Sequence, residues 1–107
     1  MQHKLAYIAG YTDGDGSIFR AGVYNYINYS VVGNLSLMQF IKQTFDELIP
    51  PPVEGRKGQG CLMTLDQEKY SYPISRYILV GKRAIAILQE IKKLDLPFLK
   101  RKWDKIE

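Results

Sequence analysis

Hydrophobic and polar positions along this chain change period several times, and the changes divide it into elements. Near the start the recurring positions are small. Ala6, Gly10 and Gly14 stand four residues apart, which aligns them along one stripe of a helix from about Lys4 to Asp15. Residues 17 to 32 alternate instead and are rich in Tyr, Val, Ile and Phe, which predicts a β-hairpin turning around residues 25 to 28. Asn34 then reads as an N-cap, followed by Leu37, Met38, Ile41, Phe45 and Leu48 at helical spacing. Pro50, Pro51 and Pro52 end that helix.

The second half has its own loop, strands and helices. Gly55, Gly58 and Gly60, with Arg56 and Lys57 between them, form a basic loop. Strands are predicted at Cys61 to Leu65 and at Tyr72 to Val80, the second at a sheet edge because Pro73 cannot donate a ladder hydrogen bond. From Lys82, the positions Ala84, Ile87, Leu88, Ile91 and Leu94 trace an amphipathic helix, and Pro97 suits the first turn of a last one, Phe98 to Ile106. The expected fold is α+β in the order αββαββα, closed by a short basic helix, as one domain over residues 1–107.

Composition narrows the chemistry. One cysteine, Cys61, excludes an internal disulfide and suits a reducing, intracellular setting; with a single histidine, His3, it also argues against zinc. No apolar run approaches the ~20 residues that span a bilayer, and the N-terminus lacks a signal-peptide core. The net charge of +4 is a weak pointer on its own. Its distribution says more, because Lys92, Lys93, Lys100, Arg101, Lys102 and Lys105 crowd the C-terminal end, as in chains that bind nucleic acid.

The densest signal is Tyr7-Ile-Ala-Gly-Tyr-Thr-Asp-Gly-Asp-Gly-Ser-Ile18. A stripe with almost no side chain lets a second helix approach backbone to backbone. Two such helices side by side would bring carboxylates together at one end, where Gly14 and Gly16 are expected to stop the helix. An EF-hand reading fails, because its best register puts Tyr11 and Gly22 where the first acid and the bidentate Glu belong. A plain Asp-Gly turn accounts for the helix end but not for the small residues that precede it.

Ile8 to Gly16, followed by Ser17-Ile18, resembles the signature of the LAGLIDADG homing endonucleases, and the αββαββα order resembles that family's repeat. The stretch Pro97-Phe98-Leu99-Lys100-Arg101-Lys102 is similar to the segment that brings a lysine to that family's active site. A single motif implies a homodimer paired through Ala6, Gly10 and Gly14, acting on double-stranded DNA at a roughly palindromic site. The resemblance implies metal-dependent phosphodiester hydrolysis with Mg²⁺, held by Asp15 with help from the Gly14 carbonyl, while Asp13 orients the helix junction. Lys102 is then the basic catalytic residue. DNA contacts fall to Arg20, Tyr24, Tyr26 and Asn28 on the free sheet face, and to Arg56, Lys57 and Lys100. One departure stands out: the positions where small homodimeric members carry a polar and a basic residue hold Gly33 and Leu37, with Asn34 and Gln39 as the nearest polar substitutes. The alternatives are a non-cleaving nucleic-acid binder or RNA-splicing maturase of the same fold, and a protein-interaction module with solvated charges.

Overall fold

A computed structural model describes residues 1–51, 59–65, 74–98 and 100–106. Its elements are α1 (Gln2–Asp15), β1 (Gly16–Ala21), β2 (Tyr26–Gly33), α2 (Leu35–Leu48), β3 (Gln59–Thr64), β4 (Ser75–Val80), α3 (Lys82–Lys92) and α4 (Lys100–Trp103), with a 3-10 turn at Asp104–Ile106. The strands form one antiparallel sheet in the order β1-β2-β4-β3. The chain is thus a mixed α+β fold. None of the helices among the described residues is long and apolar enough to cross a membrane.

One face of the sheet carries the core. Ile18, Ile27, Tyr29, Val31, Tyr77 and Leu79 are buried there against Ile8, Met38, Ile41, Phe45, Ile87, Leu88 and Ile91 from the helices. Tyr29, Phe45 and Tyr77 meet ring to ring at its centre, with centroids 5.8 to 6.4 Å apart. Trp103 and Ile106 join this core from the C-terminal end, which ties α4 to the body of the fold.

The caps follow the chain's chemistry. The Asn34 side chain accepts from the Leu37 amide at 2.8 Å, as its position before an apolar periodic run implies. The other end of α2 is closed from a distance. Arg83, on α3 and only 7% exposed, donates from Nε and Nη2 to the Ile49 carbonyl at 3.1 and 2.6 Å, and to Asp46 at 2.9 Å. A guanidinium at a helix C-terminus satisfies orphan carbonyls and matches the sign of the macrodipole.

Several boundaries differ from the expectation. The hairpin turns at Gly22–Asn25, earlier than residues 25 to 28, because Gly22 (φ 84°) and Asn25 (φ 55°) are the positions that accept a left-handed backbone. Strand β4 is an inner strand, not an edge, and it starts at Ser75; Tyr72 and Pro73 lie outside the described residues. The last helix begins at Lys100, not Phe98, and Pro97 precedes it. Gly33 is a packing requirement. A Cβ there would stand 2.5 Å from the Tyr11 hydroxyl and 3.2 Å from the Met38 methyl, and that hydroxyl donates to the adjacent Val32 carbonyl.

Burial pushes the Tyr29 and Tyr77 hydroxyls well above the ordinary tyrosine value of 10.0. Above that pH the unfolded chain releases protons that the folded chain keeps, so stability falls as pH rises, by at most about 1.4 kcal/mol per pH unit for each tyrosine. Urea midpoints should therefore drop from about pH 10 upward, and less steeply in Tyr29→Phe. A midpoint flat across that range would contradict this.

Candidate metal and nucleic-acid site

Helix α1 has two working sides. Leu5, Ile8, Ala9 and Thr12 turn inward and are buried. Thr12 fixes that side further, its hydroxyl donating to the Ile8 carbonyl at 2.8 Å and lying 2.7 Å from the Tyr29 hydroxyl. Gly10 and Gly14 turn outward, Ala6 is half-buried, and a Cβ built on either glycine would meet nothing within 4 Å. Glycine inside a helix costs about 1 kcal/mol against alanine, so neither earns its place within one protomer. Beside this strip Tyr7, 58% exposed, leans edge-on against Phe40 at 6.0 Å.

The end of α1 is fixed by the C-terminal segment. Gly14 stays inside the helix, so Gly16 alone ends it, with φ −94°, an extended conformation. Its lack of a side chain is still required, because a Cβ would stand 2.8 Å from the Thr12 Cα. The Lys102 ammonium donates to the carbonyls of Thr12 (3.0 Å), Asp13 (2.7 Å) and Gly16 (2.9 Å). Those three bonds use all three of its protons. Next to it the Trp103 indole N–H donates to Asp13 Oδ1 at 2.6 Å. Asp13 is thereby an orienting residue, as expected, and Lys102 is a helix cap reached across ninety positions of sequence.

Asp15 is different. It is exposed, and among the described residues no hydrogen bond or ion pair engages it. It stands at the last position of α1, beside Gly14, whose carbonyl is outside the set that Lys102 holds. An open carboxylate at the carbonyl end of a helix is a hard oxygen site for a divalent cation such as Mg²⁺. The donor type fits, but one protomer supplies too few donors: no three His, Cys, Asp or Glu side chains converge among the described residues.

Basic groups flank this end. Lys100, Arg101 and Lys105 are exposed, and Arg101, Lys102 and Lys105 line a depression floored by Gly16, Ser17 and Ile18. The free face of the sheet lies beyond. Cross-strand register puts Ser17 opposite Ser30, Phe19 opposite Asn28 and Ala21 opposite Tyr26, and continues through Ile78 and Arg76 on β4. Tyr26 and Asn28 are therefore on the free face, as expected. Arg20 is not: it pairs with buried Ile27 on the helix side, and it donates to the carbonyls of Lys105 (3.1 Å) and Asn25 (3.2 Å). Tyr24 sits in the turn, its ring 5.7 Å from that of Tyr26. Arg56 and Lys57 lie outside the described residues. Arg76, which the sequence reading did not assign, lies on the free face of inner strand β4. The signal was present in the strand itself, since inward Tyr77 and Leu79 force Arg76 and Ile78 outward.

Comparison of the chain with models of known protein families, with curated proteins and with solved structures gives no match.

The capping role of Lys102 has a measurable consequence. Lys102→Met leaves three carbonyls without their charged donor and should cost about 1.5–3 kcal/mol in urea unfolding. An unchanged midpoint would show that the ammonium contributes nothing to the α1–β1 junction.

Proposed function

We propose that two copies of this chain pair through the exposed glycine face of α1 and form a site-specific, metal-dependent DNA endonuclease of the LAGLIDADG kind. The observation that carries this reading is the conjunction on α1: Gly10 and Gly14 open to solvent along one line, and an unengaged Asp15 at the end of that line. The αββαββα order, with the helices on one side of an antiparallel sheet, supports the same arrangement.

In this reading a two-fold axis beside α1 sets the Asp15 carboxylates of both protomers over one stretch of duplex. Asp15 would hold a Mg²⁺ ion, with the Gly14 carbonyl assisting. When bound, such an ion activates water and neutralises charge on the phosphoryl oxygens. The chain's own residues do the positioning. Lys102 and Trp103 lock the helix end, so Asp15 projects from a fixed backbone. Arg101 and Lys105, beside Ser17, attract the phosphate backbone without reading sequence. The free sheet face, with Tyr26 and Asn28, lies in the groove, and two-fold symmetry makes the target roughly palindromic.

A second reading has an observation of its own. The Lys102 ammonium is spent on helix carbonyls, and Gly33 has no side chain, its space being taken by the Tyr11 hydroxyl. A chain with neither group free to organise water would bind nucleic acid and cut slowly or not at all, as a non-cleaving relative or maturase does.

Asp15→Asn separates these readings. The endonuclease reading expects double-strand cleavage of a selected duplex in Mg²⁺ by the native chain, its loss in the variant by at least about a hundredfold, and binding kept within a few-fold. Undiminished cutting by Asp15→Asn would refute the assigned role, and tight binding with no cutting by the native chain would favour the second reading.

A further inference from the structure

Lys102 cannot serve two partners at once. Its ammonium has three protons, and the carbonyls of Thr12, Asp13 and Gly16 take all three at 2.7 to 3.0 Å. Donating to a bound phosphate would uncap α1 and loosen the backbone from which Asp15 projects. A cation that faces substrate at this end of the molecule must therefore be a neighbour.

The depression beside the α1–β1 junction supplies one. It holds about 320 Å³ and is lined by Gly16, Ser17, Ile18, Arg101, Lys102 and Lys105, with no carboxylate. Gly16 and Ser17 follow Asp15 directly, so its floor begins at the residue after that carboxylate. Arg101 and Lys105 are both exposed, and among the described residues no hydrogen bond or ion pair engages either side chain. The acid between them, Asp104, is taken by Lys92 at 3.2 Å. Like charges one turn apart repel each other, and nothing in the free chain offsets that repulsion. A bound anion would.

The donors present suit a phosphate. Arg101 brings a flat fork that matches two non-bridging oxygens, Lys105 a point charge, and exposed Ser17 a hydroxyl. Position makes this phosphate a particular one. Contacts that merely follow a duplex can fall anywhere along it. This depression instead abuts the end of α1, where Asp15 stands unengaged.

We propose that Arg101 clamps the phosphate that Asp15 faces, donating from its two terminal nitrogens to the non-bridging oxygens, with Lys105 and Ser17 beside it. Lys102 is then a positioning residue and no substrate ligand. This rests on the endonuclease reading above and goes beyond it by moving the substrate cation from Lys102 to Arg101.

The test maps Arg101 onto one phosphate of a duplex selected by the native chain. Binding is measured in Ca²⁺ for the native chain and for Arg101→Gln, with each phosphate near the cut replaced in turn by an uncharged methylphosphonate. At the cleaved phosphate the two losses should not add. Methylphosphonate there should weaken the native chain about tenfold and Arg101→Gln hardly further, while at other phosphates the losses add. In Mg²⁺, single-turnover cutting of the unmodified duplex should slow about a hundredfold in Arg101→Gln and recover in part in Arg101→Lys. Arg101 is exposed, so the urea midpoint of Arg101→Gln should match the native one, unlike that of Lys102→Met. Losses that add at the cleaved phosphate, or undiminished cutting by Arg101→Gln, would overturn the assignment and leave Arg101 a remote backbone contact. A native chain that selects no duplex, or binds one without cutting it, would instead overturn the endonuclease reading itself.

Discussion

The end of the first helix governs the rest of this molecule. Four carbonyls at a helix C-terminus lack internal partners and carry the negative end of the macrodipole. Here Lys102, arriving from the far end of the chain, places one ammonium against the carbonyls of Thr12, Asp13 and Gly16. Trp103 takes the Asp13 carboxylate with its indole N–H while its ring fills the core. Gly16 lets the strand leave the helix so close to Thr12 that no side chain would fit. The segment around Lys102 and Trp103 is thus a bolt through the α1–β1 junction, and the direction of Asp15 depends on it.

The same helix carries almost no side chain along one exposed line. Its inner side buries Leu5, Ile8, Ala9 and Thr12, and its outer side offers Gly10, Gly14 and the edge of Tyr7. A single protomer gains nothing from glycine at two mid-helix positions and loses helix stability by it. A second copy of the same surface, brought in by a two-fold axis, would use both glycines and join two Asp15 carboxylates at once. The sheet's free face then extends the same axis outward, with Arg76 at its middle and the lysine-rich turn at its margin.

How much of this was legible in the sequence varied with the kind of signal. The element order and the Asn34 cap were, because helical and alternating periods are long, redundant patterns and a cap is local chemistry. The acid-and-glycine stretch marked α1 for the same reason. Strand faces were not legible, since a shift of one residue exchanges every side chain between faces. Arg20 illustrates this: it alternates plausibly with its neighbours, yet it pairs with Ile27 on the helix side. Arg76 is the converse: Tyr77 and Leu79 alternate with it and are buried, which turns Arg76 to the free face. The role of Lys102 was hidden by distance, because nothing local announces a lysine that caps a helix near the other terminus. The edge expected for β4 rested on a proline, and the strand, Ser75–Val80, is an inner one.

The central claim is that the outward glycine line of α1 is where two copies meet, and disulfide trapping addresses it directly. Cysteine in place of Gly10, in a chain whose native Cys61 is replaced by serine, can bridge only if the two backbones come within about 7 Å of each other. Face-to-face pairing predicts that mild oxidation converts this variant rapidly and nearly completely to a covalent dimer, while a cysteine placed on the far side of α2 at Gln43 stays monomeric. A Gly10→Cys chain that remains uncrosslinked at high protein concentration, or crosslinks no faster than the Gln43 control, would contradict it.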